Sequence, residues 1–196
     1  YEKITRMKEV LEAFAAGEFV LVYDEHRECE GDFFVLAEHI TPEKVHFLQL
    51  VARGMICIAC SPEILQKLEI PLMVEANENP HGTNFCVSLD AKSGVTTGVS
   101  ASDRARAIKI LADPQSTRKD FVIPGHTFPL RAETDYTKRF GHTEAALKLA
   151  KKTENYPVIV ICEILNEVGE KANQEELQKM SKDFEIPMVT LEQLKK

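Results

Sequence analysis

The stretch DEHRECEGDFF, residues 24–34, crowds Asp24, Glu25, Glu28, Glu30 and Asp32 around Arg27, with Glu38 just beyond. Apolar runs flank it, FVLVY upstream and FFVLA downstream, each patterned like a buried strand. In an extended chain Glu28, Glu30 and Asp32 project from one face, because strand side chains alternate. Like charges this close repel unless a cation sits among them or one carboxyl keeps its proton. The stretch therefore reads as a cation site, as a set of acid–base carboxyls or, more blandly, as a solvated acidic loop.

Three other segments carry groups suited to chemistry. KRFGHTEA, residues 138–145, leads through Phe140, Gly141 and His142 into Thr143, which is expected to cap a helix beginning near Glu144. A helix start offers unpaired N–H groups and a partial positive charge, and Arg139 and the Thr143 hydroxyl stand where they could add contacts to a phosphate. The plain alternative is an ordinary capped helix with a solvated arginine. IPGHTFPLRA, residues 123–132, places His126 after a Pro124-Gly125 pair that reads as a turn. A lone histidine there is compatible with a structural role as well as with proton transfer. Glu163 ends the apolar run PVIVIC, a place where burial raises a carboxyl into the range of a general base unless the strand has simply reached water or the group is paired with an arginine. SGVTTGVSASDR, residues 93–104, carries hydroxyls and small-residue turns but no Walker or Rossmann glycine pattern.

The elements that must position these groups follow from periodicity and punctuation. Ile4, Met7, Leu11 and Phe14 recur at helical spacing with Gly17 as a stop. TPEKVHFLQLVARG reads as a helix with Thr41 as cap, Pro42 at its first position and Gly54 past its end; SPEILQKL opens in the same way. MICIAC is a strand, NFCVSLD a half-buried strand, and SASDRARAIKILADP a helix capped by Ser102 or Asp103. HTEAALKLAKK, QEELQKMSKDF and LEQLKK are helices, and YPVIVICEIL and PMVT are strands. Helices and strands interleave without linker or repeat, which predicts an α+β fold: one three-layer α-β-α domain over residues 1–196 with a mixed sheet.

Bulk composition narrows the partners. At 196 residues and 44% hydrophobic content the chain suits one well-buried domain. A formal net charge of −7 argues against a nucleic-acid or membrane surface as the main partner, so an anionic ligand has to be caught by a local cluster of Arg and Lys. No apolar run approaches the roughly 20 residues of a membrane helix. The cysteines Cys29, Cys57, Cys60, Cys86 and Cys162 make an odd count, as expected of reduced thiols in a cytoplasmic protein. Cys57 and Cys60 have CxxC spacing but would point to opposite faces of a strand, and no second pair follows for zinc. The chain opens at Tyr1 rather than Met, so a few residues are expected to precede it.

Taken together, RECEGDFF, GVTTGVSASDRARAIKILAD, PGHTFPLRA, RFGHTEAALKLA and CEILNEVG resemble, in order, the motifs of the 3,4-dihydroxy-2-butanone 4-phosphate synthase family. The resemblance runs from about Gly17 to Leu194. It implies a lyase of riboflavin biosynthesis that converts D-ribulose 5-phosphate to L-3,4-dihydroxy-2-butanone 4-phosphate and formate. The implied route is enolisation, dehydration, a carbon shift and formate release, assisted by Mg²⁺ or Mn²⁺ with two ions per site. The resemblance further implies Glu28 and His142 as metal ligands, and His126 and Glu163 as residues essential for catalysis. Arg27, Glu28, Asp32, Arg139, Phe140, Gly141, His142, Thr143 and Glu163 match substrate-binding positions, and Cys57 falls at a position near the substrate. A homodimer with its active sites at or near the subunit boundary is implied as well.

Three departures from the family pattern stand out. His26 and Cys29 replace the usual Asp and Asn, and NEVGEKANQEEL lacks the usual Thr-Met-Ala-Arg segment, which puts contacts from that loop in doubt. With the sequence ending at Lys196, the GTP-cyclohydrolase domain that some members carry is expected to be absent. Competing readings are a metal-dependent isomerase or aldolase acting on another pentose phosphate, and an inactive nucleotide- or RNA-binding module of similar fold. The acidic balance and the presence of Arg27, Glu28, Asp32, His142 and Glu163 speak against the module.

Overall fold

A computed structural model describes residues 7–196, so Ile4 of the expected first helix lies outside the described residues. The chain runs α1 (Met7–Ala15), β1 (Val20–Tyr23), β2 (Gly31–Leu36), α2 (Pro42–Phe47), β3 (Arg53–Cys60), α3 (Pro62–Lys67), β4 (Asn84–Phe85) and β5 (Leu89–Ala91). It continues through α4 (Ala101–Leu111), β6 (Phe121–Arg131), α5 (His142–Lys152), β7 (Val158–Ile164), α6 (Gln174–Asp183), β8 (Met188–Thr190) and α7 (Leu191–Lys195). The strands form one mixed sheet ordered β4-β6-β3-β7-β2-β1-β8, with β5 added on β6. Strands β2 and β7 are antiparallel neighbours near its centre, and β3 runs parallel to β6.

The central strands read as unbroken apolar runs because both of their faces are covered. Phe33 and Val35 of β2 pack with Ile58, Val160 and Leu177 against α2, α3, α4 and α6. Phe34 and Leu36 point the other way and pack with Ile159 and Ile161 against Phe14 of α1, Leu149 of α5 and Leu194 of α7. Phe33 and Phe34 are both fully buried, each contributing about 2 kcal/mol by area removed from water. The result is the expected α-β-α sandwich. Cys57 and Cys60 fall in opposite cores, as strand alternation requires.

Several local expectations are corrected. Pro124-Gly125 is not a turn between elements but lies inside β6. Leu89 pairs with Thr127 while Asp90 pairs with Val122, so residues 123–126 bulge out of the ladder. A proline cannot donate to a ladder, and the strand accommodates it by this bulge. NFCVSLD splits into β4 and β5 rather than forming one strand. The helix after Thr41 ends in a π-helical turn, Leu48–Ala52, and Arg53 rather than Gly54 takes the left-handed conformation, with φ of 65°. Gly54 is needed for another reason: a Cβ there would lie 2.1 Å from the carbonyl oxygen of Glu163.

Helix α4 is capped by Ser100, whose Oγ accepts the N–H of Asp103, and not by Ser102 or Asp103. The Asp103 carboxylate instead accepts the N–H and hydroxyl of Thr96 and the N–H of Gly98. The Thr96 hydroxyl and N–H, with Gly98 and Ser100, hold the Asp103 carboxyl at about 2, below its ordinary 3.8. A depressed carboxyl stabilises the fold above its unfolded pKa and loses that contribution as pH falls towards the folded value. The melting-temperature gap between the native chain and Asp103→Asn is therefore expected to hold above about pH 5 and to close towards about pH 2. A gap that stays constant over this range would contradict the assignment.

Candidate active site

The cluster is assembled where β2, β7 and the start of α5 meet. Asp32 of β2 stands directly opposite Glu163 of β7 in the register. Asp32 is in phase with Phe34 and Leu36, and Glu163 with Ile161 and Ile159, all of the core beneath α5, so both carboxyls face the start of that helix. His142 is the first residue of α5, only 6% exposed, and its ring meets Phe34 edge-on at 6.1 Å. Its Nδ1 lies 3.5 Å from Glu28 and 3.7 Å from Asp32.

The acidic loop holds Glu28 in place by capping itself. The buried Asp24 carboxylate accepts the N–H groups of His26, Arg27 and Glu28 at 2.9–3.0 Å, and the Asp24 N–H closes the loop on the Glu30 carbonyl. Burial works against charge on Asp24, but those three backbone donors outweigh it and keep the carboxyl below its usual range. Cys29 turns the chain with φ of 51°, a conformation that costs a cysteine more than the asparagine usual in the resembling family.

The electrostatics follow from the crowding. Burial pushes the Asp32 carboxyl well up, and the charge of Glu163 adds to this, although His142 pulls the other way. Burial alone would lower His142, yet Asp32 and Glu28 together hold it above its ordinary value. His142 in turn holds Glu28 down. Glu163 is raised by burial, and the Met55 N–H donates to its Oε2 at 2.8 Å. Without a Cβ at residue 54, β3 comes close enough to make that bond.

These groups open into a cleft of about 390 Å³. Glu28, Glu30, Asp32 and Glu163 line one part; Arg27, Arg139, Lys171 and His81 line the rest with His142 and Thr143. Sequence reasoning missed three of the contributions here. The loop around Asn79, His81 and Thr83 forms one wall, and Arg27 and Arg139 both donate to the His81 carbonyl. Its signal was a histidine in a Pro-, Gly- and Asn-rich turn, NPHGTN. Lys171, from the divergent segment, donates to the Glu28 carbonyl at 2.8 Å and so ties that segment to the acidic loop. Glu144 is fully buried and holds Arg139 by an ion pair, while also accepting the N–H groups of Gly141 and Glu133 at 2.9 Å.

That last arrangement corrects the expected cap. Helix α5 starts at His142, Gly141 is its N-cap, and Thr143 is a buried residue of the first turn that lines the cleft. Phe140 does not line the cleft but packs edge-on against Tyr136 at 5.4 Å. Gly141 is not among the residues lining the cleft, although a Cβ there would approach Arg27 Nη1 to 3.1 Å. Cys57 is 2% exposed, does not reach the cleft, and has its thiol pushed well up by burial and by Glu163. His126 is also not brought into the cleft; it sits on the β6 bulge beside Asp90.

The donor set suits a hard divalent ion. Asp32 Oδ1 and His142 Nε2 are buried without a protein hydrogen-bond partner, and Glu28 adds a second carboxylate. Among the described residues no three His, Cys, Asp or Glu groups enclose an ion unaided. Glu28 and His142, with Asp32 beside them, would therefore leave most coordination positions to oxygen atoms of substrate and water, which suits Mg²⁺ or Mn²⁺.

Fold and cleft define an α+β protein with a buried carboxyl–imidazole cluster facing a rim of cationic side chains. Over residues 8–196 the chain matches the family model for 3,4-dihydroxy-2-butanone 4-phosphate synthase. It is 46% identical over 191 residues to a riboflavin biosynthesis protein of Bacillus mycoides, an alignment spanning 96% of this chain and 48% of that protein. It is 40% identical over 193 residues to a 3,4-dihydroxy-2-butanone 4-phosphate synthase of Neisseria meningitidis serogroup B, covering 97% of this chain and 53% of that one. A solved 3,4-dihydroxy-2-butanone 4-phosphate synthase in complex with two magnesium ions superimposes with a TM-score of 0.89 at 36% identity, covering 96% and 94% of the two chains. The chain belongs to the 3,4-dihydroxy-2-butanone 4-phosphate synthase family. It spans about half the length of the curated relatives it matches.

The buried Arg139–Glu144 pair gives a stability prediction. Glu144→Gln leaves a largely buried guanidinium facing a neutral amide, and the loss of one partner is expected to cost about 3 kcal/mol in urea unfolding. A loss below about 1 kcal/mol would mean that solvent screens the pair.

Proposed function

We propose that this chain converts D-ribulose 5-phosphate to L-3,4-dihydroxy-2-butanone 4-phosphate and formate, as a cytoplasmic lyase of riboflavin biosynthesis. Family membership supports the reading, and the observation that carries it is the facing of Asp32 and Glu163 next to Glu28 and His142 in a cleft rimmed by cations. Arg27, the Thr143 hydroxyl and the first turn of α5 hold the phosphate, with Lys171 at the rim. Arg139, whose guanidinium is engaged by Glu144, Thr83 and the His81 carbonyl, fixes that end of the cleft and has a donor left for an anion.

Asp32 and Glu28 take the sugar hydroxyls, and Glu163, oriented by the Met55 N–H, moves protons between substrate carbons. A divalent ion bound by Glu28 and His142 would supply stabilisation of charge developing on neighbouring substrate oxygens. His126 stands outside its own chain's cleft, so its participation requires a second copy to present it. The homodimer proposed here does so, with the exposed Val99 and Val122 near His126 as part of the apolar contact.

Formate release from ribulose 5-phosphate is expected to stop in EDTA and return with Mg²⁺ or Mn²⁺; undiminished turnover in EDTA removes the ion from the reaction. Glu28→Gln should lower turnover at least about a hundredfold, while Glu25→Gln in the same loop should stay within about threefold. Equal and mild effects would reduce the loop to a solvated turn. Mixing and re-equilibrating inactive His126→Ala and Glu163→Gln dimers should restore activity to roughly a quarter of native, because half the dimers then carry one intact site. No restoration, with subunit exchange verified, would place both residues in one subunit's site.

A further inference from the structure

We infer that Asp90 is the positioning residue for His126, fixing its ring and tautomer; this rests on the reading of His126 as a proton carrier. The Asp90 carboxylate grips one residue twice. Its Oδ1 accepts the His126 backbone N–H at 2.8 Å, and its Oδ2 meets His126 Nδ1 at 2.8 Å. A ring held through Nδ1–H leaves Nε2 to exchange protons at the surface.

An exposed Asp–His pair is ordinarily a minor surface contact. Here three features of the backbone are arranged around it. The β6 bulge breaks the register between Leu89 and Asp90 and swings residues 123–126 out beside the carboxylate. Gly98, at φ of +92°, passes so close that a Cβ would lie 2.2 Å from Asp90 Oδ2 and 2.7 Å from His126 Nδ1. Gly125 closes the other side, where a Cβ would lie 2.5 Å from Asp90 Cγ, and its N–H is held by the Ser88 hydroxyl at 3.1 Å. The Asp90 side chain is consequently sheltered at 15% exposure, while that of His126 remains 47% exposed. The anchor is enclosed and the proton-exchanging edge is presented outward, which is the arrangement a residue serving a neighbouring subunit's cleft needs.

The test uses the full chain with Mg²⁺, and compares Asp90→Asn, Asp90→Glu and His126→Ala. Asp90→Asn is expected to lower kcat for formate release at least about thirtyfold with KM within about threefold, as expected when an interaction made in the transition state is lost. Nitrogen-15 NMR should report Nδ1 of His126 as the protonated ring nitrogen in the native chain, and a shift towards the other tautomer in Asp90→Asn. Asp90→Glu keeps the charge and should recover part of kcat, which also covers the case where Asp90→Asn folds poorly. An inactive His126→Ala with native kcat and tautomer in Asp90→Asn overturns the role of Asp90 and leaves that of His126 standing. A fully active His126→Ala removes the premise and the inference together.

Discussion

Mutual repulsion among Glu28, Asp32 and Glu163 around one imidazole is the constraint on which the rest of the architecture depends. Charges crowded into a largely buried site relax by moving apart unless the backbone prevents it. Asp32 and Glu163 cannot move apart because β2 and β7 are ladder-paired on both sides and packed on both faces. His142 is fixed by α5, whose Leu149 and Ala146 are locked into the core below the same strands. Only Glu28 sits on a loop, and Asp24 pins that loop with three backbone bonds. A cation bound among them would relieve the repulsion, so the rigidity that makes the charged cluster costly would also preorganise it for an ion.

The site joins two kinds of support. The facing carboxyls of Asp32 and Glu163 lie on the central strands, where packing sets their position. Groups suited to an anion lie on loops cross-tied by rim contacts: Arg27 and Arg139 to the His81 carbonyl, and Lys171 to the Glu28 carbonyl. Such exposed bonds belong to the low-stability end of a structure and open before the ladder does. Entry and exit of a ligand can therefore use the rim without disturbing the carboxyl geometry. Lys171 also ties the divergent segment to the acidic loop through the Glu28 carbonyl.

The central layer was legible in the sequence because buried strands on both faces need continuous apolar runs, as in FFVLA and PVIVIC. The opening acidic stretch and Glu163 were legible too, since charge next to such runs is anomalous. Misreadings arose where tertiary contacts override local signals. Pro124-Gly125 looks like a turn because nothing local reveals that β5 and β3 hold the strand on either side of the bulge. Gly54 looks like a helix stop, yet its lack of a Cβ serves Glu163, more than a hundred residues away. Thr143 looks like a cap because Glu144 folding back on Gly141 cannot be seen without Arg139 beside it. His81 and Thr83 were invisible for the same reason: their partners are distant in sequence.

In the proposed reaction the carboxylate–imidazole cluster of Glu28 and His142 holds a divalent ion. Crystals of the full chain soaked in Mn²⁺ and measured at the manganese absorption edge test it directly. The account predicts an anomalous peak within about 2.5 Å of both a Glu28 carboxylate oxygen and a His142 ring nitrogen, with water completing the shell. Manganese bound elsewhere, with Glu28 and His142 still paired to each other in an active enzyme, would contradict it.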